Sequence, residues 1–104
     1  MGQRFKHVYL VAALAFASFA HAEDAAKLIR QYNCLGCHAV DTKVVGPSYK
    51  DVAARYRGQK DAEALLMKEI HSGIKGKWGS QIPMPPQQIS DNDLRIIVRW
   101  ILAQ

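Results

Sequence analysis

At 104 residues the chain has room for one ordinary domain. Its 14 basic and 9 acidic residues give a formal charge of +5, a moderate excess that favours acidic partners. It does not point to nucleic acid, because no aromatic-basic stripe accompanies it. Two cysteines in all, with no second ligand pair at zinc spacing, do not make a zinc site.

The first 22 residues read as a leader and not as fold. Arg4 and Lys6 make a positive start, residues 8–20 form an apolar run broken by Ser18, and Ala20-His21-Ala22 is an A-x-A cleavage site. The run is shorter than the roughly 20 residues a membrane-spanning helix needs. The expected division is therefore a cleaved secretory signal peptide over residues 1–22 and a single domain over 23–104, located in the periplasm. Losing Arg4 and Lys6 leaves 12 basic residues against 9 acidic ones.

The remainder reads as all-α, with no convincing alternating strand. Ala25, Leu28, Ile29 and Tyr32 recur at i, i+3, i+4 and i+7 and mark one face of a first helix. Glu23 and Asp24 at its start suit the helix dipole. This helix is expected to run into Cys34 and so to deliver Cys34-Leu35-Gly36-Cys37-His38. Two thiols spaced C-x-x-C, with histidine directly after the second, form the attachment signature of a c-type haem. The thiols add to the two vinyl groups of one porphyrin edge, the intervening residues let the backbone turn, and the imidazole is a neutral nitrogen ligand for iron. A redox disulfide of the thioredoxin kind would expect a preceding strand in a βαβ pattern, which is absent. Haem attachment uses both thiols, so no disulfide is expected in the oxidising periplasm. Covalent haem also gives so small a domain a large apolar plate to pack against.

Residues 39–47 read as a loop ending in Gly46-Pro47, where a carbonyl could accept the free N–H of His38 and fix its tautomer. A short helix is predicted over Ser48–Arg57, with Val52, Ala53 and Tyr56 inward and Gly58 as its stop. Another spans Asp61–Ser72 and closes at Gly73. Residues 73–81 form a Gly-rich loop containing Trp78, and Ile82-Pro83-Met84-Pro85-Pro86 is stiff and extended. The last helix starts after Ser90 as N-cap, with acids in its first turn. Its stripe of Leu94, Ile97, Val98, Ile101 and Leu102 needs a partner, and the first helix is the natural one.

The second axial iron ligand decides the chemistry. Met67, His71 and Met84 are the candidates in the domain. Met67 lies on an amphipathic helix, where methionine usually fills core. His71 lies near that helix's polar end, where a solvated imidazole is the plainer account. Met84 lies between prolines that hold its backbone nearly fixed, so its thioether loses little freedom on binding. Met84 is the favoured ligand. His/Met ligation fills both faces of the iron and raises its potential, which suits electron transfer rather than turnover of a bound substrate.

These residues resemble the short bacterial class I cytochromes c, of the c-551 and c-552 type. The resemblance covers the whole domain and rests on Cys34 to His38, Asp41 through Pro47, Lys50 through Ala54, Trp78-Gly79, Ile82 through Pro86, and Ser90-Asp91 through Trp100. It implies a fold of four to five short helices packed around one covalently attached haem c, with His38 and Met84 as axial ligands. It further implies that the Gly46-Pro47 carbonyl steadies the histidine, that the Trp78 indole N–H bonds a haem propionate, and that Trp100 packs near the crossing of the first and last helices. Two features depart from the family pattern. Ile29 stands where an aromatic residue is common, and the loop from Trp78 to Met84 is one residue longer.

The reading is a soluble periplasmic monohaem cytochrome, monomeric and not an enzyme. It would pass single electrons between a respiratory cytochrome complex and a terminal reductase, oxidase or peroxidase. A haem peroxidase or gas-binding protein, and a structural or sensor haem domain, are the rivals. The expected partner surface places Val45, Ile82 and Pro83 inside a rim of Lys43, Lys50, Lys75 and Lys77, a small dry patch suited to transient contacts.

Overall fold

The structure is a computed structural model, and it describes residues 21–79 and 82–104. The expected leader, residues 1–22, lies outside the described residues except for His21 and Ala22. Residues 21–31 are helical (α1). Asn33 then turns left-handed at φ 57 and ends the regular chain, and Cys34–Gly36 form one tight 3₁₀ turn. The helix therefore does not run into Cys34 but stops short of it, and the turn brings Gly36 N–H to the Asn33 carbonyl and His38 N–H to the Cys34 carbonyl.

Three further helices follow: α2 over Tyr49–Tyr56, α3 over Ala62–Ser72 and α4 over Asp91–Leu102. Two serines start helices as their residue type predicts. The Ser48 hydroxyl accepts the Asp51 N–H at 3.1 Å, and the Ser90 hydroxyl accepts that of Asp93 at 3.2 Å. Each cap satisfies one of the amide donors that a helix start leaves without a partner. Among the described residues the one strand-like pairing is an isolated bridge between Ile74 and Met84. The fold is all-α.

The core joins Ile29 of α1, Tyr49, Val52 and Tyr56 of α2, Leu66 and Ile70 of α3, and Leu94, Ile97, Val98 and Ile101 of α4. The α4 stripe is thus buried as its period demands, but against more than α1: the helix packs on both α2 and α3. Tyr32, just past α1, donates its hydroxyl proton to the Asp93 carboxylate at 2.6 Å and ties the two ends of the domain together. That acceptor carboxylate holds the Tyr32 phenol above its usual range. Trp100 lines a surface groove with His21, Ala22 and Ile96, and meets Tyr49 edge-on at 5.4 Å, so it bridges α4 to α2 as well.

Candidate functional site

The histidine side of the site is built almost entirely from residues 34–49. Cys34 is half-buried and Cys37 exposed, and neither is in a disulfide. His38 presents Nδ1 to the Pro47 carbonyl at 2.8 Å. A carbonyl can only accept, so Nδ1 carries the proton and Nε2 keeps the lone pair a metal would take. The loop behind the ring is stitched by Gly46 N–H to the Cys37 carbonyl at 2.8 Å and Tyr49 N–H to the Ala39 carbonyl at 3.0 Å. Gly46 lies flat against the imidazole: a Cβ there would sit 2.4 Å from His38 Cε1. That contact, not a turn conformation, is why this position excludes a side chain.

Tyr49 completes this side, and sequence reasoning passed over it. Its ring stacks on His38 with centroids 5.2 Å apart. Burial, and the neighbouring thiol, hold the Tyr49 phenol above its usual range, so it stays a neutral donor. Burial likewise raises the Cys34 thiol. A signal was present in the spacing, because Tyr49, Val52, Ala53 and Tyr56 recur at i, i+3, i+4 and i+7, and all four are buried.

The methionine side hangs from the loop between α3 and α4. Met84 is half-buried against the core. Its N–H reaches the Ile74 carbonyl at 2.8 Å, and its own carbonyl receives the Ile74 N–H at 2.9 Å. Met67 packs against the core cluster. His71 is not simply solvated: its Nε2 donates to the Ile89 carbonyl at 2.9 Å and ties the end of α3 to the approach of α4. Trp78 is half-buried on the same loop, with the Arg55 guanidinium 4.4 Å above its ring.

Leu35, Val44, Val45 and Ile82 are large exposed apolar side chains, and Pro83, next to Ile82 in the chain, is exposed as well. The lysine rim needs correction. Lys43 and Lys75 are exposed and Lys50 pairs with Asp41 at 2.6 Å. Lys77 is drawn inward instead, onto Glu69 and Tyr56.

A c-type haem fits this chemistry. Two unpaired thiols stand beside a tautomer-fixed imidazole, a glycine removes the side chain that would crowd the ring, and exposed apolar residues can cover a flat apolar group. A bare zinc ion does not fit, since among the described residues no group of three or more His, Cys, Asp or Glu could hold a metal ion. No helix of the described residues is long and apolar enough to cross a membrane.

Comparison with known proteins agrees. The sequence model of the Cytochrome c family matches residues 22–104. Cytochrome c-551 of Pseudomonas aeruginosa is 46% identical over 95 residues, covering 91% of this chain and 90% of that protein. Cytochrome c-552 of Nitrosomonas europaea is 45% identical over 96 residues, with the same coverage of 91% and 90%. Among solved structures, wild-type Nitrosomonas europaea cytochrome c552 superposes with a TM-score of 0.71 at 47% identity, over 75% of this chain and 96% of that one. The class 1 cytochrome MtoD from Sideroxydans lithotrophicus gives 0.69 at 38% identity, over 79% and 94%. With haem-attachment residues, helical architecture and relatives in agreement along the same span, the chain belongs to the cytochrome c family, and is a monohaem electron carrier with one covalently attached haem c.

Proposed function

We propose that the protein is a soluble, monomeric periplasmic cytochrome c whose haem is bonded to Cys34 and Cys37 and whose iron is held between His38 and Met84. The haem, when bound, supplies a one-electron couple at its iron. The protein's part is to keep both axial donors still, so that little rearranges when the charge changes. His38 is held by the Pro47 carbonyl at 2.8 Å. Met84 carries the argument: its backbone is fixed by two hydrogen bonds to Ile74 and by Pro83 and Pro85 on either side, which suits a donor that must not move. The Trp78 indole N–H is the donor to a haem propionate in this reading.

Residues 1–22 act as a cleaved export signal, and 23–104 form the working domain. The partners are redox proteins, a respiratory cytochrome complex on one side and a terminal reductase, oxidase or peroxidase on the other. They would dock over Val45, Ile82 and Pro83, with Lys43 and Lys75 at the rim. Such contacts bury little area and release quickly. The fast association expected of this rim should slow as salt rises.

Replacing Met84 with alanine tests the ligand assignment and the carrier function together. The near-red charge-transfer band of the oxidised protein should vanish, the potential should fall, and cyanide should bind faster than to the wild type. Met67→Ala and His71→Ala should leave all three unchanged. A native spectrum and potential in Met84→Ala, with their loss in either of the other variants, would reassign the ligand. Rapid cyanide binding by the wild-type protein would replace the carrier with an enzyme.

A further inference from the structure

Trp78 sits on a turn with little restraint of its own. Gly76 and Gly79 flank the Lys77-Trp78 pair at φ 77 and 72. Among the described residues one long bond closes the turn, from Gly79 N–H to the Gly76 carbonyl at 3.3 Å. Among the described residues, and apart from each glycine and its chain neighbours, no atom lies within 4 Å of where a Cβ would stand on either glycine.

Side chains hold it instead. Lys77 Nζ donates to the Tyr56 hydroxyl at 2.6 Å and to one oxygen of the Glu69 carboxylate, while Tyr56 donates to the other oxygen. Tyr56 is 2% exposed and the Glu69 side chain 17%, so this is not a solvated surface pair. Arg55, one residue earlier on α2, donates through Nη1 to the Lys77 carbonyl at 2.9 Å and lays its guanidinium over the Trp78 ring, 4.4 Å from the centroid. The backbone of Lys77, its side chain and the ring of Trp78 are thus gripped by two successive residues of α2 and one of α3. A planar cation on an indole face favours one ring orientation. A partly buried ion pair held by several hydrogen bonds, with the Lys77 side chain 28% and that of Glu69 17% exposed, fixes geometry more than it adds stability.

We infer that Arg55, Tyr56, Glu69 and Lys77 form a latch that fixes the orientation of Trp78 against the haem edge and thereby holds the reduction potential up. These are positioning residues, and the inference rests on the reading that Trp78 faces a haem propionate. When the latch opens, the indole donor drifts away and water reaches the haem edge. Both changes favour the more highly charged ferric state and lower the potential.

The test uses reduced holoprotein and the hydrogen exchange of the two indole N–H groups, with Trp100 as internal control. The double variant Glu69→Gln/Lys77→Met removes one charge of each sign, so the net charge is unchanged and any shift in potential reflects position. Exchange at Trp78 should quicken by about tenfold or more through local opening, with Trp100 unmoved, and the potential should fall. Unchanged exchange at Trp78, or equal quickening at Trp100, overturns the latch. Quickened exchange with an unmoved potential overturns its hold on the haem. If the double variant does not accumulate as holoprotein, Arg55→Leu is judged by exchange alone, on the same terms. Trp78→Phe separates the two ideas. If that change leaves the potential where it was, the propionate reading fails, and the latch still stands or falls on exchange in the other variants.

Discussion

Ile74 and Met84 exchange both of their backbone hydrogen bonds, so Met84 is the closing residue of a loop rather than a point along an open one. The closure is tight. Gly73, the residue before Ile74, has φ 86, and a Cβ on it would stand 3.0 Å from both the Met84 carbonyl oxygen and Pro86 Cδ. Gly73→Ala therefore meets two penalties: about 1–3 kcal/mol for a positive φ with extended ψ that is essentially glycine's alone, and displacement of backbone that cannot swing aside. It should weaken the near-red band of the oxidised protein and lower Tm. An unaltered band would mean that the bridge does not position the thioether.

Gly46→Ala acts on the opposite side. The new Cβ would fall 2.4 Å from His38 Cε1, and the ring cannot retreat without breaking its bond to the Pro47 carbonyl. Overpacking of this kind costs about 1–3 kcal/mol. The expected outcome is a lower urea midpoint and a shifted Soret band. If only the midpoint moved, the contact would be packing alone.

Stability should fall as pH rises above about 10, near the ordinary pKa of a phenol. Burial, and the hydrogen bond to Glu69, hold the Tyr56 phenol above its ordinary value. For Lys77 burial pulls the other way, but the hydrogen bonds to Glu69 and Tyr56 outweigh it and hold the ammonium up. Both groups keep their protons longer folded than unfolded. The stabilisation is complete below their unfolded values and is lost as pH climbs through the folded ones. Urea midpoints measured from pH 8 to 11 should therefore decline, and Tyr56→Phe should flatten the decline. A slope unchanged in Tyr56→Phe would assign it to other groups.

Leu94 is wholly buried where α4 meets the rest of the core. Leu94→Ala should cost about 2–5 kcal/mol in chemical denaturation while leaving the visible spectrum of the folded protein intact. A changed spectrum would show that α4 supports the site directly and not only the fold.

The helices were legible because each carries its own local signal. The α4 stripe and the Ser90 cap depend on neighbours in sequence and appear where spacing and residue type place them, while Ser48, read as the first residue of its helix, caps it instead. The haem-attachment pentapeptide was legible for the same reason. What spacing could not reveal were relationships across loops. Nothing in residues 73–84 states that Ile74 pairs with Met84, and Gly46 looked like turn punctuation until its contact with His38 was seen. Lys77 read as a solvated rim charge because its partners, Tyr56 and Glu69, lie on two other elements. Tyr49 was the avoidable omission, since the period that identified Val52, Ala53 and Tyr56 includes it.

The Tyr32–Asp93 bond spans 61 positions of chain, whereas His38 to Pro47 spans 9 and the Ile74–Met84 pairing is nearly as local. Closing a short loop demands little chain entropy, and meeting across a long one demands more. Both sides of the site can therefore take shape from nearby residues before the ends of the domain find each other. On this ground the docking of the first helix onto the last should be the slower step. A mutation at Tyr32 or Asp93 should be felt mainly in how fast the domain closes and how long it stays closed, and least in the chemistry of the pocket it encloses.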